Sequence, residues 1–208
     1  MKNYISLQSS PYKISRDLLK PIYFNRTCAT PCGNECCDEG IYIHGGLVET
    51  ILQEQEQIKK LLRRSVREGR WFDTGQGLEI DTDLPHRPMY VNTKLYPNEH
   101  SPSGYSCAFI TDSGHCALHQ RGIETTPNEP WRLKPLYCWL FPIIIVNNVV
   151  KLARPKDLQT PFPLHKRCLR RTQTPTLGID LFEPELRYLL KEPAFEELKD
   201  YAKKTHSE

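Results

Sequence analysis

Residues 28–37 read Cys-Ala-Thr-Pro-Cys-Gly-Asn-Glu-Cys-Cys, and this stretch decides how the rest of the chain is interpreted. Four thiols fall within ten residues, with Pro31 and Gly33 on either side of the second one. A turn-prone backbone of this kind can direct several sulfurs to one point, which is what a thiolate-bound metal requires. The stretch therefore predicts a metal site.

Four further cysteines follow, so the chain has eight in all. An even number would also suit four disulfides in a secreted chain, but disulfide scaffolds are usually shorter and this sequence begins without an export signal. Metal ligation is therefore the expected use. The candidate ligands are Cys28, Cys32, Cys36, Cys37, Cys107, Cys116, Cys138 and Cys168.

Composition and charge narrow the class of protein. A chain of 208 residues with 38% apolar content can bury one substantial core. A net charge of +3 is too small to indicate a nucleic-acid partner. The longest apolar run, 137–146, is interrupted by Pro142 and is too short to cross a membrane. We therefore expect a soluble, cytoplasmic protein whose partner is another protein.

The apolar pattern predicts one long amphipathic helix over 47–68, because apolar residues recur there at steps of three and four. Acidic residues in its first half and basic residues in its second suit the helix dipole. Shorter helices are predicted over 185–191 and 194–203, separated by Pro193.

Two β-hairpins are also predicted. Strands over 105–110 and 115–119 would be joined by a turn at 111–114, with Cys107 and Cys116 facing each other. Strands over 143–146 and 149–152 would be joined by an Asn-Asn turn.

Together these elements predict an α+β fold: a small, irregular, cysteine-rich metal-binding domain with short β-hairpins and one long amphipathic helix. We expect a lead-in over 1–27, the metal-binding domain over 28–170 and a helical extension over 171–208.

The spacing of the cysteines leaves the metal open. Zinc ribbons usually carry Cys-x2-Cys pairs, and none occurs here, which favours an iron-sulfur cluster over an ordinary zinc ribbon. Zinc remains the alternative cofactor. The adjacent Cys36 and Cys37 point in different directions in an extended chain, so one of them can serve a second metal or another role.

Histidines and basic residues lie near the cysteines and offer further roles. His44, His115, His119 and His165 are alternative ligands, with His119 ranked first because it follows Cys116 by three residues. A surface or supporting role is the other interpretation of each histidine. The basic residues after His165 could offset thiolate charge, bind an acidic partner or form a solvated face; they are Lys166, Arg167, Arg170 and Arg171.

Several of these motifs carry a resemblance to a known family. The Cys28-to-Cys37 run, Cys107-Ala-Phe-Ile, Gly114-His-Cys-Ala-Leu-His119 and the segment 134–142, Lys-Pro-Leu-Tyr-Cys-Trp-Leu-Phe-Pro, together resemble the YkgJ-type cysteine-cluster family. That resemblance implies a zinc- or iron-chelating domain, and it places seven of the cysteines on the family pattern with Cys168 as its trailing cysteine. A related pattern is similar to the amino-terminal part of flagellin lysine methylases.

The leading functional hypothesis is a metalloprotein with a cysteine-ligated iron-sulfur cluster, acting in electron transfer or in modification of another protein. The alternatives are a zinc-stabilised binding module without catalysis, and metal storage or delivery. Whether the chain is an enzyme stays open. The sequence contains no Gly-x-Ser-x-Gly elbow, phosphate-binding glycine loop or His-Glu-x2-His motif, so nothing in it indicates a hydrolase.

Overall fold

The computed structural model describes residues 3–22, 37, 40–75, 77–101, 103–153 and 175–206. The described residues combine helices with short strands, which confirms the predicted α+β class at this level. In these ranges no helix is both long and apolar enough to cross a membrane.

The strands and helices are distributed along the whole described chain. The strands are β1 (Tyr4–Ser6), β2 (Lys13–Ser15), β3 (Pro21–Ile22), β4 (Tyr42–His44), β5 (Phe72–Asp73), β6 (Glu79–Ile80), β7 (Met89–Thr93), β8 (Leu95–Pro97), β9 (Tyr105–Cys107), β10 (Ile143–Val146), β11 (Val149–Leu152) and β12 (Thr176–Leu177). The helices are α1 (Gly45–Gln53), α2 (Gln55–Leu61), α3 (Ala117–Thr125), α4 (Leu136–Leu140), α5 (Gly178–Leu181) and α6 (Glu183–His206), with a 3-10 turn at Arg16–Leu19.

The chain divides into two compact units. Unit 1 comprises residues 1–26, 82–86 and 140–208, and unit 2 comprises residues 27–81 and 87–139. The functional division predicted from the sequence, into 1–27, 28–170 and 171–208, stays a prediction.

Unit 2 is built on a sheet centred on β7. Strands β4, β5 and β6 all pair antiparallel with it, and Ile43 lies opposite Val91 in the β4–β7 register. Both of these β-branched side chains are buried, as expected for strand residues that face a core. Buried residues of three helices join them: Ile51 of α1, Ile58 of α2 and Leu118 of α3.

A second, two-stranded sheet in unit 2 carries one of the cysteines. Strands β8 and β9 pair antiparallel, with Leu95 opposite Cys107. The loop between them closes through a hydrogen bond from Asn98 N–H to the Gly104 carbonyl, 2.8 Å long. Gly104 has φ +77°, a conformation that glycine adopts without steric cost. This turn fixes the position of Cys107 at the end of β9.

Unit 1 contains a four-stranded sheet in the order β1-β2-β11-β10. Its β10–β11 hairpin turns at Asn147 and Asn148, which have φ of 50° and 62°, so the predicted Asn-Asn hairpin is confirmed. The amino-terminal strand β2 joins this hairpin by pairing in parallel with β11. Helices α5 and α6 contribute further core residues to this unit, and the fully buried Phe182, between the two helices, and Phe195 of α6 belong to that core.

The carboxyl-terminal helix is interrupted where the sequence predicts a break. Lys191, two residues before Pro193, has φ 63° and ψ 164°, which is not a helical conformation. A proline disfavours helical geometry in the residues before it and lacks the N–H that would continue the helix. The predicted separation of two helical runs around Pro193 is therefore confirmed.

The single long helix predicted over 47–68 is wrong. The chain forms α1 and α2 instead, and Glu54 between them has φ −93° and ψ 6°, outside helical geometry. The physical reason lies in the polar run Glu54-Gln-Glu-Gln57, which has no apolar residue to hold a continuous helix against the core. After Leu62 the chain continues as turns, with Val66 still buried.

The hairpin predicted over 105–119 is also wrong. Strand β9 pairs with β8, and the residues after Cys116 form helix α3 instead of a strand. Cys107 faces Leu95, whereas Cys116 forms an isolated bridge with Ile110, so the two cysteines do not face each other across a ladder. Apolar residues at 117, 118 and 122–123 fit a helix as well as a strand, and the sequence period alone did not separate the two.

Candidate metal centre

Three of the predicted ligands lie against one hydrophobic cluster of unit 2. Cys107 is buried within that cluster, and the half-buried Cys37 and Cys116 pack against it. These residues come from distant parts of the chain. The fold therefore brings the last thiol of the 28–37 run to the same core as two thiols near position 110.

The position of Cys116 is fixed by the turn that precedes it. Thr111 N–H donates to the His115 carbonyl at 2.9 Å, and His115 N–H donates to Thr111 Oγ1 at 3.1 Å. Ala117 N–H then donates to the Phe109 carbonyl at 2.8 Å. Cys116 is thereby held at the amino end of α3, as the residue that caps this helix.

Cys138 also belongs to unit 2, in the short helix α4. Its neighbours on both sides are anchored. Tyr137 donates a 2.8 Å hydrogen bond to Asp81 Oδ2, and Trp139 stacks on Trp131 with ring centroids 4.0 Å apart. The half-buried thiol therefore sits on a helix whose rotation is fixed from two directions.

The remaining predicted ligands, Cys28, Cys32, Cys36 and Cys168, lie outside the described residues, as does the candidate His165. Among the residues that the structure describes, no three His, Cys, Asp or Glu side chains are close enough together to hold a metal ion. Three of the four described thiols share one core, and the described residues do not form a complete ligand set by themselves.

The three described candidate histidines have different surroundings. His44 Nε2 donates to Asp81 Oδ2 at 3.0 Å, which commits that nitrogen to a buried carboxylate. His115 contributes to the turn before α3 through its backbone. His119 lies on α3, and its Nδ1 is buried without a hydrogen-bond partner in the described part of the chain.

A polar cluster that the sequence did not indicate lies in the same unit. Asp81, whose side chain is only 3% exposed, accepts hydrogen bonds from both His44 and Tyr137. Next to it, Tyr90 donates to Glu79 at 2.8 Å and stacks on Tyr42 with ring centroids 4.2 Å apart. Such a cluster ties α4 to the β4–β7 sheet, and it fixes the orientation of the His44 ring.

One ionisable group of this cluster has a clearly altered acidity. Burial, together with the hydrogen bond to Glu79, raises the pKa of Tyr90 well above its ordinary value. The phenol therefore remains protonated and keeps donating to Glu79 through the physiological range. The alternation of Glu79, Ile80 and Asp81 could have indicated a strand with acidic residues on one face, but no sequence signal links them to Tyr90 and Tyr137.

A buried arginine lies beside the strand that carries Cys107. Arg63 is 8% exposed and donates hydrogen bonds to the Pro97 carbonyl at 3.0 Å and to Ser106 Oγ at 3.1 Å. Neither of these bonds goes to a carboxylate. The Arg63 side chain therefore links the turn after α2 to strands β8 and β9.

Comparisons of the chain with family models, with curated proteins and with solved structures gave no match. The resemblance to the YkgJ-type family therefore rests on the quoted motifs alone and stays a prediction.

Proposed function

We propose that the chain is a soluble cytoplasmic metalloprotein that binds an iron-sulfur cluster through its cysteines and acts in electron transfer or in modification of another protein. The proposed ligands come from the set Cys28, Cys32, Cys36, Cys37, Cys107, Cys116, Cys138 and Cys168. Soft thiolates at this density select iron-sulfur clusters, zinc or cuprous copper.

The observation that carries the proposal is the convergence of Cys37, Cys107 and Cys116 on one hydrophobic cluster. The alternative explanation is that the core uses these three cysteines only as small apolar residues. Two of them, Cys37 and Cys116, are only half-buried, and Cys37 belongs to the thiol-rich run 28–37.

The surroundings of these cysteines also suit a cluster. Trp71 and Phe72 pack on Phe109, with ring centroids 5.6 and 6.0 Å apart, and these rings share the hydrophobic cluster with Cys107. An apolar, aromatic environment limits solvent access, which is one way in which proteins set the reduction potential of a cluster. When bound, the cluster would supply the one-electron chemistry that side chains lack.

A zinc-stabilised binding module is the second candidate. The adjacency of Cys116 and His119 on one helical turn favours it, because zinc accepts mixed sulfur and nitrogen ligands. In that case the metal would contribute folding free energy and the protein would contact a partner without catalysis. Metal storage or delivery is a further possibility with the same ligands.

The deciding experiment measures iron, zinc and acid-labile sulfide in protein purified without oxygen, together with its visible spectrum. Iron and sulfide in comparable amounts, with absorption that bleaches on reduction, would support the cluster. Zinc without sulfide would replace the cluster by the binding module. Protein that is fully folded and contains no metal would refute both.

Cysteine variants test the ligand set. Cys116→Ser and Cys138→Ser are expected to reduce metal content and solubility together, because the metal and the fold stabilise each other. His100→Gln is a suitable control, since that histidine side chain is 83% exposed. A cysteine variant that retains full metal content would remove its residue from the ligand set.

A further inference from the structure

His119 has a buried ring nitrogen that the described protein leaves unused. The residue itself is half-buried, but its Nδ1 is shielded from solvent and has no hydrogen-bond partner among the described residues. Burying a polar atom without a partner costs free energy, on the order of 1–3 kcal/mol. An orphaned acceptor of this kind therefore indicates that something else binds it.

A backbone carbonyl lies beside the same ring. The Pro130 carbonyl is near enough to His119 to favour its protonated form, against the larger effect of burial. The close approach of that carbonyl to α3 depends on Gly122, because a Cβ at this position would lie 2.1 Å from the Pro130 oxygen. A neutral imidazole carries a lone pair on one of its two nitrogens, and a buried nitrogen without a protein partner can offer that lone pair to a metal.

The ionisation state agrees with this arrangement. Burial, with a smaller effect of the nearby Lys134 cation, lowers the pKa of His119 below its ordinary value. The imidazole is therefore neutral at neutral pH, the form in which histidine binds metals.

Cys116 is the nearest candidate thiol along the chain. It precedes His119 by three residues and caps the amino end of α3, the helix that carries His119. Cys116 also packs against the hydrophobic cluster that contacts Cys37. One turn of the chain therefore carries both a candidate sulfur ligand and a buried nitrogen without a partner among the described residues.

We infer that His119 Nδ1 is a ligand of the metal in this unit, next to Cys116, so that the site has a mixed nitrogen and sulfur ligand set. This inference rests on the proposed metal-binding function and sharpens it. A mixed set allows zinc with one imidazole ligand, or a cluster in which one iron is bound by histidine.

The test uses the full-length protein as purified without oxygen, with histidine labelled by a nitrogen isotope. The reduced iron form is studied by pulsed electron paramagnetic resonance, and a zinc form by nitrogen NMR. Metal-bound imidazole in the wild type, lost in His119→Ala, would support the inference. His119→Ala should also lose metal at least about tenfold more readily, the scale found when even a supporting partner of a ligand is removed.

Two further variants separate ligation from a structural role. His119→Cys should keep the metal while losing the imidazole signal, because a thiolate can replace the nitrogen as a ligand but cannot replace the packing of the ring. His100→Gln should leave both metal content and the imidazole signal unchanged, because its side chain is exposed.

The outcomes distinguish the inference from the function on which it rests. Metal bound in normal amount, with no imidazole signal or with a signal that persists in His119→Ala, would overturn the inference and keep the metalloprotein. A folded wild-type protein without any metal would overturn both.

Discussion

Tyr137→Phe is the sharpest test of how the cysteine-bearing unit is held together. The substitution removes one hydroxyl and keeps the ring, so the edge contact with Tyr42, at a centroid distance of 6.0 Å, can be preserved. What disappears is the 2.8 Å hydrogen bond to Asp81, which anchors α4 and the adjacent Cys138.

The expected cost follows from the burial of the acceptor. The Asp81 side chain is 3% exposed, so water cannot readily replace the lost donor. Hydrogen bonds to charged groups contribute about 1.5–3 kcal/mol to stability. His44 continues to donate to the same oxygen, which places the expectation near the lower part of that range, about 2 kcal/mol or roughly thirtyfold in the unfolding equilibrium.

Urea unfolding followed by tryptophan fluorescence measures this effect in the right part of the molecule. The three tryptophans, Trp71, Trp131 and Trp139, all belong to unit 2, so their emission reports on that unit. Metal content is measured for each variant and kept equal, because any bound metal would add its own stabilisation. Tyr137→Phe should unfold at a lower midpoint concentration of urea than the wild type. The slope of its unfolding free energy against urea concentration should be unchanged.

Tyr105→Phe is the matched control, since Tyr105 lies in the same unit and is 52% exposed. Its stability should change by no more than about 0.5 kcal/mol. Equal midpoints for Tyr137→Phe and the wild type would refute the role assigned to the Asp81 cluster. A combined Tyr137→Phe and His44→Phe variant should lose more than the two single losses added, because it removes both of these donors to Asp81.

The same fluorescence assay checks three other expectations in unit 2. Ile43→Ala should destabilise the unit by about 2–5 kcal/mol, because the side chain is fully buried, and a loss below about 1 kcal/mol would contradict the assigned core. Tyr90 keeps its proton in the folded state at a pH where the unfolded phenol ionises, so stability should decline as pH rises above about 10. Tyr90→Phe should weaken that decline, and an unchanged profile would count against the raised pKa. Gly122→Ala should cost about 1–3 kcal/mol by displacing Pro130, whereas Gly46→Ala, with open space around its Cβ, should be neutral or stabilising by up to about 1 kcal/mol.

The elements that the sequence predicted correctly are those fixed by local chemistry. Asn147 and Asn148 tolerate positive φ and lie between two β-rich runs, so the hairpin is encoded within ten residues. Pro193 likewise breaks the last helix through its own ring and missing N–H.

The wrong predictions concern residues whose state depends on distant partners. The helix over 47–68 required an uninterrupted apolar face, and the polar residues from Glu54 onward let the chain turn between α1 and α2. The segment 115–119 does not pair with β9 as predicted, because β9 pairs with β8, and the residues after Cys116 form a helix instead. Periodicity within a short segment does not identify that partner.

The candidate centre was predictable in its residue types and only in part in its geometry. The cysteines can be identified directly from the sequence, and three of them do converge on one core. The Asp81 cluster could not be predicted, since its donors lie 37 and 56 residues away and neither His44 nor Tyr137 belongs to a recognisable motif.

The parallel pairing of β2 with β11 has a consequence for how the protein is made. Lys13 pairs with Val149, so the amino-terminal strand meets its partner only after another 136 residues have left the ribosome. Residues 27–139, which include all of unit 2, are synthesised in that interval. Unit 2 can therefore begin to collapse around its hydrophobic cluster on the nascent chain, while the edge of the β1–β2 hairpin that later meets β11 is still unpaired. An unpaired strand edge can pair with another chain, so protection of this edge by a chaperone should increase the yield of folded protein.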